Sequence, residues 1–146
     1  RSKALFTLSA ICSGTDAFLK NLDFGLEEKC ALAIYFWQQV AEHIPYWKKA
    51  KAGTLKSSDV RKKTICTLSI TLNAIGTGGN QMMQRYPHTW RAHLRNLERI
   101  DWNKTNPIWE NLVFVNGKVA TNRTSQRAMA TYIENIMLEE VGEEHA

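Results

Sequence analysis

The stretch "SSDVRKKTICTLSITLNAIGTGGN", Ser57 to Asn80, decides how the chain is divided into helices. Ser57 or Ser58 is a good N-cap, and Ile65, Leu68, Leu72 and Ile75 fall at helical spacing. The reading is one helix, stopped by "GTGGN" at Gly76 to Asn80, whose glycines suit a C-cap and a sharp turn. A glycine-rich loop also suggests a phosphate cradle. This one lacks the Lys-Ser/Thr pair that would grasp phosphates and a metal, so the turn is favoured.

Toward the C-terminus, Pro87 is placed to start a helix that carries Trp90, Leu94 and Leu97 inward. "RIDWNKTNPIW" (Arg99–Trp109) follows, a polar connector holding two of the five tryptophans. Asn-Pro favours a turn, so Trp102 and Trp109 are expected to pin this loop to the core rather than to stack on bases. Asn116-Gly117, between two apolar runs, is a hairpin signal. A last helix starts near Thr124 or Ser125 with Met129, Tyr132, Ile133 and Ile136 on one face.

Toward the N-terminus, Leu26, Cys30, Ala33, Ile34, Trp37, Val40, Ala41 and Ile44 trace an apolar stripe that Pro45 ends. A basic small-residue loop, "YWKKAKAGTLKSS", follows it. Before that stripe, Leu5, Leu8, Cys12, Leu19 and Leu22 mark a first helix, interrupted or weakened at Gly14. The expected fold is therefore mainly α: one helical domain over residues 1–146, of about five to seven helices, with one short β-hairpin near residues 112–120. Residues 134–146 form an acidic helix end and tail.

A chain of 146 residues that is 44% apolar can bury a real core. The longest apolar run, "CALAIYFW" (Cys30–Trp37), is too short to span a bilayer, so no membrane is expected as partner. No targeting segment is visible, and the missing initiator Met suggests a fragment of a longer protein. Cys12, Cys30 and Cys66 lie in apolar helical patterns and are expected to be buried free thiols in a reducing compartment. Asn103-Lys104-Thr105 and Asn122-Arg123-Thr124 match the glycosylation sequon, taken as chance matches without a secretory signal.

The net charge of +5 hides a division. Residues 1–133 hold all 19 bases and nine acids, whereas the last thirteen residues hold five glutamates and no Lys or Arg. A basic body with an acidic end suggests a polyanionic partner. No HExxH, CxxC, GxSxG or Walker A pattern is present, and no carboxylate pair stands out as acid and base. His88 and His93 are five apart, not the four that place two ligands on one helical face. No catalytic residue, metal site or cofactor is expected.

Two basic features stand out. Arg61, Lys62 and Lys63 fall in the opening turn of the expected third helix, where cations oppose the macrodipole and Asp59 offsets only part of that. Such a terminus is a phosphate site or a solvated basic turn, with nothing to choose between them. Arg91, Arg95 and Arg99 recur at i, i+4 and i+8 and form a ridge suited to a phosphate backbone. The alternative is a solvated face in which Glu98 pairs with Arg95. Eight bases against two acids between Lys56 and Arg99 favour the ridge. Lys104, Lys118, Arg123 and Arg127 would extend that surface, supplying affinity for double-stranded DNA without base specificity.

Four stretches, "ALFTLSAICSGTDAFL", "FWQQVAEHIPYW", "SSDVRKKTICTLSITLNAIG" and "LERIDWNKTNPIWENLVFVNGKV", resemble the C-terminal part of the DndB family of DNA sulfur modification proteins, which carry the DGQHR domain. The resemblance covers nearly the whole chain. It implies a bacterial, cytoplasmic protein encoded with machinery that replaces a non-bridging backbone oxygen of DNA with sulfur. It further implies a DNA-binding regulator that represses the modification genes, with other sulfur-modification proteins as partners, rather than the sulfur-transfer enzyme. The Asp-Gly-Gln-His-Arg motif is absent from this sequence and would lie before Arg1, so no role that depends on it is assigned here. The alternative to a DNA-binding module is a helical scaffold that mediates assembly or homo-oligomerisation.

Overall fold

A computed structural model describes residues 4–140. Among them are seven α-helices: α1 (Leu8–Leu19), α2 (Leu26–Ala41), α3 (Pro45–Ala52), α4 (Ser57–Lys63), α5 (Ser69–Arg85), α6 (Trp90–His93) and α7 (Arg123–Leu138). Two 3-10 helices, Leu94–Arg99 and Pro107–Trp109, lie between α6 and a hairpin of β1 (Phe114–Val115) and β2 (Lys118–Val119). The strands pair antiparallel, Phe114 with Val119 and Val115 with Lys118. Asn116 and Gly117 turn them with φ of 55° and 77°, the left-handed pair that a two-residue hairpin needs. The mainly helical fold and its one hairpin are as expected.

The central element is α5, and its glycines overturn the expected turn. Gly76 to Asn80 lie in the helix interior and are buried, apart from half-buried Thr77. A Cβ on Gly76 would stand 2.1 Å from the Gly14 carbonyl oxygen, so α1 and α5 cross backbone to backbone. A Cβ on Gly79 would meet the Phe36 ring at 2.3 Å; without it, that ring lies on α5 and stacks on Phe18 at 3.9 Å. On α5's other contact face, Met137 and Ile133 of α7 sit against Gly78. Glycine lowers helix propensity by about 1 kcal/mol relative to Ala. Here close helix approach outweighs that cost. Gly14 likewise lies inside an unbroken α1 rather than weakening it.

The expected single helix over Ser57–Ile75 is in fact two. Thr64 is extended and bridges Asn103, while the Ile65 amide donates to the Trp102 carbonyl at 2.9 Å. A segment 37 to 39 residues downstream therefore breaks the helix. The faces of the first two helices also differ from expectation. α1 buries Ala10, Gly14 and Phe18, leaving Leu8 and Cys12 exposed. α2 buries Ala33, Phe36 and Val40, leaving Leu26, Cys30 and Ile34 exposed. α2 ends at Ala41, and Pro45 opens α3 at its first turn instead of merely stopping α2.

Buried amides close helix ends. The Asn80 amide donates to the Phe18 and Lys20 carbonyls at 2.7 and 2.9 Å, satisfying the C-terminus of α1. Asn96 donates to the Met137 and Glu139 carbonyls, and His93 Nδ1–H donates to Met137, doing the same for α7.

The cysteine expectation holds for one residue of three: Cys66 is buried, whereas Cys12 and Cys30 are exposed. Burial pushes the Cys66 thiol from 9.0 up to about 11, despite its contact with the Thr64 hydroxyl. Thiol reagents at pH 8 are expected to label two cysteines in the folded protein and the third only on unfolding. Below pH 9 this thiol is neutral in both states. As pH rises from 9 toward 11 the unfolded chain loses the proton first, so stability falls across that window. Burial moves Tyr132 in the same direction, with Glu139 adding to it. Urea midpoints measured from pH 8 to 11 are expected to fall less steeply in Cys66→Ala than in the parent chain.

Candidate nucleic-acid interface

The opening residues of α3 set the site's frame. Pro45 starts the helix, Trp47 is buried with its indole N–H donating to the Cys66 carbonyl, and Gly53 ends it in the left-handed conformation. The basic stretch expected to be a loop is thus a helix that displays Lys48, Lys49 and Lys51 to solvent. Lys56 and α4 follow, and α3 packs on α4.

Arg61, Lys62 and Lys63 lie in the last turn of α4, not in an opening turn. There they complement the negative end of the macrodipole, which reverses the expected electrostatic cost. Lys62 and Lys63 are exposed; Arg61 is half-buried and donates to the Ala4 carbonyl. The connector joins this corner. The Lys104 amide donates to the Lys63 carbonyl at 2.9 Å, and the Tyr46 hydroxyl of α3 donates to Asn103 Oδ1 at 3.3 Å. Lys104 therefore stands beside Lys63. From Lys48 to Lys63 the sequence holds seven bases and one acid, Asp59.

The connector itself is a knot of short hydrogen bonds. Asp101 Oδ1 accepts from the Asn103 amide and side chain at 3.1 and 2.9 Å, and its carbonyl accepts from Asn106 and from the Trp109 indole. Trp102 and Trp109 are fully buried and stack at 6.3 Å, with Tyr132 edge-on to Trp109. Both tryptophans act as loop pins, as expected. They hold the segment that presents Lys104.

The arginine ridge does not form. α6 has only four residues, and Leu94–Arg99 winds as a 3-10 helix. At about 120° per residue, Arg99 stands about 120° round from Arg95 instead of on the same ridge. Arg91 donates to the Tyr35 hydroxyl and lies 5.8 Å from that ring's centre. Arg99 pairs with Glu139 at 2.6 Å, and Arg95 is exposed with a partner within the chain. Glu98 pairs with His43 of the α2–α3 turn at 2.6 Å.

The acidic end of α7 thus folds back on the basic body, since Glu134 also lies 3.9 Å from Arg85. Glu143 and Glu144 lie outside the described residues. Arg123 and Arg127 are exposed in the first turns of α7, which packs mainly on α5 and the first 3-10 helix. Lys118 is exposed on β2. The cations missed from sequence are Lys48, Lys49 and Lys51. Their signal was the Pro45 start and Gly53 stop that bracket a short helix.

Among the described residues no group of three His, Cys, Asp or Glu side chains is placed to hold a metal ion, and no helix is long and apolar enough to cross a membrane. These features define a helical domain with a cationic corner built by α3, α4 and the Lys104 connector. A family model described as DndB, DNA-sulfur modification-associated, matches residues 1–139, and the chain belongs to that family. No curated protein and no solved structure matches the chain.

Proposed function

We propose that this chain is the DNA-contacting, regulatory part of a bacterial DNA sulfur-modification system, acting in the cytoplasm as a repressor of the modification genes. Family membership supports the setting, and one observation supports the contact: a backbone hydrogen bond joins Lys104 to Lys63, which brings the exposed Lys62, Lys63 and Lys104 into one neighbourhood beside the lysines of α3. Lysines of this kind act as point charges on phosphates and give binding with little base preference. Arg61 adjoins that contact on α4, and Arg91, Arg95, Arg123 and Arg127 would add to the positive field of the body. Arg99, already paired with Glu139, would contribute least.

Anisotropy with a labelled duplex at low salt tests the assignment. Lys62→Gln/Lys63→Gln/Lys104→Gln is expected to weaken binding about tenfold or more for any sequence, and Arg99→Gln only slightly. Equal affinity in the triple variant and the parent would sink the corner as the site.

A second reading, assembly through a helical face, has its own observation. Leu26, Cys30 and Ile34 form an exposed apolar row on α2, with Leu26 79% and Ile34 61% exposed. If DNA binding is absent while self-association is abolished by Leu26→Glu/Ile34→Glu, the scaffold function replaces the first.

A further inference from the structure

A cavity of about 370 Å³ opens among α1, α2, α3 and the segment before α1. Its walls include Phe6, Ile11, Trp37 and Trp47, and among the described residues its only charged or hydroxyl-bearing lining residues are Lys51 and Ser57. The two indoles spend their N–H groups elsewhere, Trp37 on the Thr15 hydroxyl at 2.9 Å and Trp47 on the Cys66 carbonyl at 3.1 Å. They therefore offer the cavity carbon surface alone.

The chain itself closes one side. Leu5 and Phe6 are half-buried, Phe6 meets Trp47 edge-on at 4.8 Å, and Arg61 holds the Ala4 carbonyl. What remains has the volume of a small-molecule pocket rather than the length of a groove for a partner helix. Lys51 makes no ion pair among the described residues, although Lys48 one turn earlier reaches Glu42 at 3.9 Å. An apolar chamber with one uncommitted cation and a hydroxyl in its lining matches a ligand with a hydrocarbon body and an anionic head.

We propose that this cavity binds an amphipathic carboxylate of medium chain length, its hydrocarbon against Trp37 and Trp47 and its carboxylate at Lys51 and Ser57. The ligand's apolar carbons replace water against the indole faces, which supplies most of the affinity. Lys51 is exposed, so its charge adds discrimination rather than strength. The site shares Lys51 with the lysines of α3 beside the cationic corner, whereas its hydrocarbon contacts with Trp37 and Trp47 are independent of Lys62, Lys63 and Lys104.

Calorimetric titration of the protein with decanoate, decanol and decylamine, each kept below its self-association concentration, tests the proposal. Decanoate is expected to saturate one site and to bind roughly three- to fivefold more tightly than decanol, with decylamine weakest. Lys51→Glu, an exposed change, should invert the order of decanoate and decylamine. Ile11→Trp, at the partly exposed rim, should narrow the chamber and weaken binding of all three, with an unchanged circular dichroism spectrum. No saturable binding, equal affinity for the three probes, or binding indifferent to both variants would each overturn the assignment. Loss or retention of duplex binding in the same preparations is scored separately and bears only on the phosphate contact.

Discussion

Gly76→Ala is expected to destabilise the chain by about 3 kcal/mol or more, lowering the urea midpoint by about 1–2 M. On helix propensity alone the same change should stabilise an α-helix by about 1 kcal/mol. The sign is decided by what the new methyl meets. It would stand 2.1 Å from the Gly14 carbonyl oxygen and 3.2 Å from the Phe18 nitrogen, both backbone atoms of α1. A flexible side chain can swing away from such a methyl; a helix backbone cannot. The two helices must separate, and the packing of Phe18 against Phe36 then loosens with them. Gly25→Ala is the control, because its nearest neighbour is the Glu28 carboxylate at 3.5 Å and its φ of −67° suits any residue. That variant should lose about 1 kcal/mol at most, the cost of Ala in place of Gly at the α2 N-cap. An unchanged midpoint in Gly76→Ala would mean that α1 and α5 do not cross at these glycines.

Trp109→Ala carries the second large effect, a loss of about 3–5 kcal/mol. Trp109 is fully buried, stacks with Trp102, supports Tyr132 of α7, and donates its indole N–H to the Asp101 carbonyl at 3.1 Å. Domains of this kind hold only about 5–15 kcal/mol in total, so the variant should be largely unfolded at 37 °C if the parent lies at the low end. Trp102 gives a sharper comparison. Its indole N–H is buried without a partner among the described residues, so Trp102→Phe removes an unmet donor while Trp109→Phe breaks a hydrogen bond. Thermal unfolding should therefore rank Trp102→Phe above Trp109→Phe. Had these rings served to stack on bases, Trp109→Ala would leave stability intact and reduce DNA affinity alone. That outcome would reverse the assignment of the connector as a pinned loop.

Features settled by local chemistry could be read in the sequence. Asn116-Gly117 announced its hairpin because few other residues accept two successive left-handed conformations. Met129 and Ile133 announced the buried face of α7 because large apolar side chains are what that face buries. Features settled by distant partners could not. The break at Thr64 is imposed by Trp102 and Asn103, and no pattern within residues 57–80 encodes it.

The faces of α1 and α2 were misread for a related reason. Hydropathy weights large residues such as Leu8, Leu26 and Ile34, whereas the close crossing of α1 on α5 selects the small Ala10 and Gly14; of the α2 stripe, Ala33 and Val40 are buried as expected. Glycines 76, 78 and 79 look like a stop for the same reason. Their value lies in what approaches them.

The site followed the same division. Lys62, Lys63 and Lys104 were identified as cations, but their meeting at one corner needs the Lys63–Lys104 backbone hydrogen bond, which spans forty-one residues. The arginine spacing promised a ridge only for an α-helix. Leu94–Arg99 winds as 3-10 instead, and Glu139 draws Arg99 into a pair.

The central claim is that Lys62, Lys63 and Lys104 neutralise DNA phosphates. It is tested most directly by the slope of log affinity against log salt concentration for a duplex, in the parent chain and in Lys62→Gln/Lys63→Gln/Lys104→Gln. Each phosphate contact contributes about 0.9 to that slope, so the triple variant should be shallower by about 3. Parallel slopes, with or without a change in affinity, would show that these lysines release no counterions and would contradict the account.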